Sequence, residues 1–284
     1  MNGILIVNKE TGYTSRDVVN IVSKVLGTKK VGHTGTLDPM ASGVLVLCVG
    51  KALKLCEMLT NHDKEYVAGV TLGIETDTLD MEGTVLSTEV VDIDKDKIIE
   101  AVNSFKGSYM QEVPKYSAVK VNGKKLYEYA RNGTFVKLPS KIVDIDNIEI
   151  IDDIKYEDGK AYFNIKTTVS KGTYIRSLVR DIGAKLGVPS VMNSLVRTRL
   201  GYFRIDDAYS IEDIKNGSFK LISILDAIDI QRVNVDDELA FKIRNGVILD
   251  SFFDGDKAFI LDNNDNLIAI YENFNKKARV YKMF

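Results

Sequence analysis

The chain has little of what metal and thiol chemistry needs. Its 284 residues hold two cysteines, Cys48 and Cys56, and two histidines, His33 and His62. Two lone thiols make neither a disulfide framework nor a zinc site. One falls in an apolar run and the other in a helical stretch, so both read as packing. Zinc sites draw on several His or Cys ligands, so no metal is expected. Neither histidine lies near a nucleophile-elbow pattern. No Walker-type loop or dinucleotide fingerprint is present, and no cofactor is expected. No apolar run approaches the roughly 18 residues of a membrane helix. The run Gly3-Ile4-Leu5-Ile6-Val7 is too short for an export signal, so the cytoplasm is the expected compartment.

Charge of one sign is also missing. The net charge is −2, against the basic excess typical of nucleic-acid binding. The charges are blocked along the chain, however. Residues 106–142 carry eight Lys and Arg against Glu112 and Glu128, a local +6, and residues 166–204 carry eight against Asp181, a local +7. Acidic stretches such as 144–158 separate them. Folded onto one face, the basic blocks would form a phosphate-binding surface. At 45% hydrophobic and 27% charged, the composition is that of a globular protein with a sizeable core. The length suits one large unit and one small one.

What stands out is Gly32-His33-Thr34-Gly35-Thr36-Leu37-Asp38-Pro39-Met40-Ala41-Ser42-Gly43. Glycines, a proline and small hydroxyl residues make this a tight loop. The apolar strand Val44-Leu45-Val46-Leu47-Cys48-Val49 follows at once. Asp38 is thus a carboxylate held at a strand edge, as acid–base or nucleophilic work requires; the plain alternative is an Asp-Pro turn. Elsewhere, residues 4–7, 66–72, 142–151 and 161–169 read as strands. Residues 15–26 (capped by Thr14), 51–60, 94–105, 125–131 and 174–186 read as helices. Asn122-Gly123 marks a tight turn after the alternating residues 117–121. With no repeating βαβ rhythm, the pattern implies an α+β fold with a large mixed or antiparallel sheet and flanking helices. Beyond about residue 228 the character changes to a short helix, 239–244, and strands at 258–261, 267–271 and 278–284. The expected division is 1–228 and 229–284, the latter a small β-rich module.

The Asp38 segment resembles the catalytic loop of the TruB family of tRNA pseudouridine synthases, G-H-x-G-x-L-D-P-x-A-x-G, at every fixed position. Further stretches resemble family motifs, in family order. They are Lys9 to Ser15; Lys64-Glu65-Tyr66 with Thr76 to Asp80; Tyr116-Ser117-Ala118-Val119-Lys120; Gly172 to Leu178; and Leu195 with Arg197-Thr198-Arg199. One departure is Val113-Pro114, where the family often has two prolines. The resemblance implies a catalytic domain followed by a PUA-like RNA-binding module. It implies isomerisation of uridine 55 in the tRNA T-loop, with the target base flipped out and Asp38 as the essential aspartate. It assigns substrate contacts to His33, Tyr66, Tyr174, Arg176, Leu195 and Lys9. Tyr66 would stack on the uracil with Tyr174 beside it, and Arg176, two residues on in the same strand or turn, would pair with Asp38. Leu195 would wall the pocket, His33 would touch RNA, and Lys9 would support the loop or a phosphate. No guide RNA or membrane is implied, and a monomer is expected. Two rivals are a ribosomal-RNA enzyme working with a guide RNA, and an RNA-binding or RNA-folding protein without chemistry.

Overall fold

Two neighbouring strands set the architecture. Gly3–Lys9 and Ser42–Val49 pair antiparallel, Ile6 opposite Val46, and both are apolar on both faces. Successive side chains leave a strand on opposite faces. Leu5, Val7, Leu45, Leu47 and Val49 therefore enter one core, and Ile4, Ile6, Val44, Val46 and Cys48 enter another. A sheet apolar on both faces must be covered on both.

A computed structural model describes residues 1–284. The sheet has ten strands, in the order Gly3–Lys9, Ser42–Val49, Ser190–Leu200, Lys64–Leu72, Lys160–Val169, Ser140–Ile150, Gly107–Glu112, with Val31–His33, Lys155–Glu157 and Phe203–Arg204 attached at the side. Every pairing in it is antiparallel except one. Ser42–Val49 and Ser190–Leu200 run parallel, with Arg197 opposite Gly43. The mixed α+β sheet expected from the sequence is present.

One face is covered by helices. Ser15–Val25 begins with a capping box between Thr14 and Asp17, which satisfies two orphan N–H groups reciprocally. Ile175–Leu186 stops at Gly187, whose φ of 75° is the left-handed cap. Lys95–Asn103 is N-capped by Asp94. Val18, Val22, Ile98, Val102, Leu178 and Ile182 all join the sheet's core.

The opposite face is covered by the C-terminal residues. Gln231–Asn234, Lys257–Leu261, Leu267–Phe274, Lys277–Met283 and Leu249–Asp250 form a five-stranded sheet in that order, with the helix Asp237–Arg244 capped by Asp236. It has a small core of its own around Ala240, Ile243 and Tyr271. Phe259 and Ile270 project the other way and pack with Ile4, Val46 and Leu55 of the large sheet's face.

Several local expectations are corrected. Residues 51–60 are a 3-10 segment, Gly50–Leu55, followed by a short α-helix, Cys56–Thr60. Only Lys120–Val121 of the alternating residues 117–121 forms a strand, paired with Lys124–Lys125 across Asn122 and Gly123, both at positive φ. The central strand Ser190–Leu200 was not expected, because its polar residues hide its burial.

Phe259 is fully buried between the two sheets. Phe259→Ala is expected to lower stability by about 3–5 kcal/mol, measured by urea unfolding of the full chain. A loss below about 1 kcal/mol would mean that the two sheets are not joined through this ring.

Candidate active site

The Asp38 loop enters the large sheet at its one parallel pairing. Gly43, at φ +99°, lies so close to the neighbouring strand that a Cβ would meet the Arg197 carbonyl oxygen at 2.3 Å. Only glycine fits there. Arg197 is 1% exposed. Its Nε donates to the Val44 carbonyl at 2.7 Å and its Nη2 to that of Gly35 at 3.1 Å. One guanidinium thus ties the two ends of the loop together.

The N-terminal segment grips the loop's middle. Ser15 Oγ accepts from the Leu37 N–H at 2.9 Å and faces the Leu37 carbonyl at 3.2 Å. The Gly12 N–H donates to the Pro39 carbonyl at 2.9 Å. Lys9 is fully buried, and its ammonium donates to the carbonyls of Tyr13 at 2.6 Å, Glu10 at 3.1 Å and Pro39 at 3.3 Å. Three donors meet three acceptors.

Asp38 itself points at Arg176. Its Oδ2 lies 3.0 Å from Arg176 Nη2. The same guanidinium donates through Nη2 to the Tyr116 carbonyl at 3.1 Å and through Nη1 to the Thr78 carbonyl at 3.0 Å. Asp80 Oδ2 stands 3.5 Å from Nη1. Arg176 is the second residue of the helix Ile175–Leu186, not part of a strand or turn, and Tyr174 is that helix's N-cap. Buried Gln111 fixes this helix start, accepting from the Tyr174 N–H at 2.8 Å and donating to the Tyr174 carbonyl at 3.1 Å.

These groups line one pocket of about 680 Å³. Asp38, Tyr66, Tyr174, Arg176 and Leu195 all face it, with Ser117, whose buried hydroxyl has no partner. Burial pushes the Tyr174 phenol up, and Lys141 sits 4.8 Å over its ring. Both basic blocks reach this pocket. Arg131 lines it from one, and Lys171, Arg176 and Arg197 from the other. Some of the apparent basic excess is internal: Arg180 pairs with Glu112 and Asp181, and Arg199 with Asp63.

Two of the residues singled out in the sequence do not line the pocket. Lys9 holds the loop by its backbone. His33 sits on the short strand Val31–His33, opposite Leu47. Its Nδ1 is buried without a partner, and burial lowers the ring's pKa. Conversely, sequence reading gave no role to Ser15, Lys64, Asp80, Gln111, Ser117 or Arg197. All but Gln111 fall within the quoted motifs.

Burial also acts on the lysines. It pushes Lys9 down to about 8, with Asp38 opposing and Arg197 adding to the shift, and Lys64 likewise to about 8. The unfolded chain then binds more protons than the native one between about pH 8 and the ordinary lysine value of 10.5, so stability rises with pH across that window. The burial cost is present in full below it. Lys9→Met removes one of these groups. Wild type is therefore expected to gain stability relative to Lys9→Met between pH 8 and pH 10.5, read by urea unfolding at several pH values. A constant difference would contradict the assignment.

Comparison with known proteins shows the family. Residues 23–175 match the sequence model described as "TruB family pseudouridylate synthase (N terminal domain)". The chain is 41% identical over 286 residues to tRNA pseudouridine synthase B of Bacillus subtilis (strain 168), covering 95% of this chain and 93% of that one. Its counterpart in Bacillus licheniformis is 42% identical, covering 99% and 92%. A solved structure of an H/ACA RNP bound to a substrate RNA containing 2'-deoxyuridine is similar with a TM-score of 0.70 at 25% identity, over 99% of this chain and 84% of that one. With the motifs in order, one pocket gathering all but the first of them, a family model over more than half of the chain and relatives similar along nearly the whole length, the chain belongs to the TruB family of pseudouridylate synthases.

Proposed function

We propose that the chain converts uridine to pseudouridine at position 55 of tRNA, in the T-loop, by flipping the base into the Asp38 pocket. The observation that carries this is the Asp38–Arg176 pair, 3.0 Å long, set in a pocket walled by Tyr66, Tyr174 and Leu195. The substrate is taken from the relatives, described as tRNA pseudouridine synthase B.

The reaction breaks the bond from ribose C1′ to uracil N1, turns the base and rejoins it through C5. Asp38 serves the sugar, either by bonding to C1′ or by taking a sugar proton. Arg176 aims its carboxylate. A flipped base is held between apolar and aromatic faces; here Tyr66 stacks on the uracil and serves the C5 proton, Tyr174 packs beside it, and Leu195 closes the wall. Lys9 keeps the Pro39 backbone in place, and His33 meets RNA outside the pocket. Residues 1–228 form the catalytic domain and 229–284 a PUA-like RNA-binding module. No helix is long and apolar enough to cross a membrane, and the chain works in the cytoplasm as a monomer. One structural neighbour is an H/ACA RNP bound to a substrate RNA, and a guide-directed activity is the second reading. The proposal needs no guide RNA.

The test is an unmodified tRNA transcript with no other RNA or protein present, with pseudouridine mapped by position. Wild type is expected to convert the T-loop uridine, and Asp38→Ala to bind the transcript without converting it. Arg176→Lys loses the fork that positions Asp38, and its turnover is expected to fall about 10²-fold. Binding without conversion by wild type would overturn the proposal for this RNA.

A further inference from the structure

A second cleft, of about 320 Å³, opens between the large sheet and the C-terminal sheet. Asn61, His62 and Tyr202 line it from one side, and Asp229, Lys257 and Tyr281 from the other. Three aromatic rings meet in a small space. His62 and Tyr202 stand edge to face, centroids 5.8 Å apart. Lys257 and Lys282 lie 4.8 and 4.9 Å from the centre of the Tyr281 ring.

Tyr202 is 67% exposed, yet the backbone that presents it is fixed. Arg199 pairs with Asp63 at 2.7 Å and donates to the Gly201 carbonyl at 2.9 Å. The Gly201 N–H donates to the Asp63 carbonyl at 3.0 Å. Gly201 is at φ +54°, and a Cβ there would touch the His62 ring at 3.0 Å. A glycine thus leaves room for His62 against the turn that carries the tyrosine. Burial lowers the pKa of that imidazole, which favours its uncharged form. An exposed ring on a rigid turn is a stacking platform: every nucleobase has a π-face, and cations beside the platform take the phosphate.

The cleft neighbours the Asp38 pocket across one short segment. The segment 60–64 divides them, with Thr60 and Lys64 facing the pocket and Asn61 and His62 the cleft. Lys171, on the rim of the pocket, donates to Asn61 at 2.7 Å. Lys64 reaches back from the pocket to the His62 carbonyl at 2.7 Å. Lys257 is only loosely tied, 3.7 Å from Glu272. Asp229, the acid of the cleft, repels phosphate and accepts from the N–H edge of a base.

We propose that this cleft is a second nucleobase site, in which an unpaired base of the substrate RNA stacks on Tyr202 and its phosphate meets Lys257. The inference rests on the reading that the substrate is RNA. It adds a binding site that lies outside the Asp38 pocket.

The test uses the full chain and an unmodified tRNA transcript. Dissociation constants and single-turnover rates are measured for wild type, Tyr202→Ala and Tyr202→Phe. Tyr202→Ala is expected to bind about five- to tenfold more weakly, at the low end of what one lost base stack gives. The loss falls on the dissociation constant rather than on the rate at saturation. Tyr202→Phe keeps the ring and is expected to restore binding. Lys257→Gln is expected to weaken binding and to flatten its salt dependence. Unchanged binding by Tyr202→Ala, or equal loss by Tyr202→Phe, would overturn the proposal. A wild type that binds the transcript through Tyr202 but converts nothing would overturn the proposed reaction and leave the base site supported. A wild type that binds no RNA would overturn both.

Discussion

A buried guanidinium has to be satisfied on every side, and this constraint organises the site. Arg176 is 6% exposed, and its acceptors come from residues 38, 78, 80 and 116. Those residues lie on three separate loops, and Arg176 itself on a helix. None of the loops has much regular structure of its own around these positions. They are held where they are because each brings oxygen to one cation. The Arg176–Asp80 pair is buried on both sides, and removing one partner of a buried pair costs about 3–5 kcal/mol, because a charge is left without compensation. The same contacts that aim Asp38 therefore also fix the pocket's walls. Arg197 repeats the principle on the strand Ser190–Leu200 without any carboxylate, since backbone carbonyls are its acceptors.

Much of this was legible in the residues, though unevenly. The helix Ser15–Val25 announced itself by its Thr14 cap and a 3.6-residue stripe, and Ser42–Val49 by a continuous apolar run. The Asp38 loop was visible from its glycines and proline. The strand Ser190–Leu200, which sits at the centre of the sheet, was not. It contains Asn193, Ser194, Arg197 and Arg199, and no local rule expects an arginine to be 1% exposed. Its burial follows from partners 150 or more residues away in sequence, at Val44 and Gly35. Gln111 was invisible for a similar reason. Its role depends on a helix N-terminus that begins 63 residues later. Lys9 was visible as part of a motif, but only the fold reveals that its ammonium is spent on backbone carbonyls.

The charge pattern was legible only in part. The basic blocks do meet at the pocket, through Arg131, Lys171, Arg176 and Arg197. Sequence counting could not separate these from Arg180 and Arg199, which are neutralised by acids close by. Two of the site's cations, Lys64 and Arg197, are also largely buried. They shape the field inside the pocket more than they advertise it outside.

The strand order has a consequence for how the chain comes to be folded at all. Ser190–Leu200 is the only link between the half-sheet begun by Gly3–Lys9 and the half-sheet begun by Lys64–Leu72. On the ribosome, each half can pair within itself early, yet both keep an open inner edge until residue 200 has emerged. Until then Gly35 and Val44 lack the arginine that ties them, so the two ends of the Asp38 loop are not yet held together. Long-range closure of this kind is slow and leaves strand edges exposed meanwhile. The nascent chain therefore completes the geometry of the Asp38 pocket late, when a single strand closes between two waiting edges.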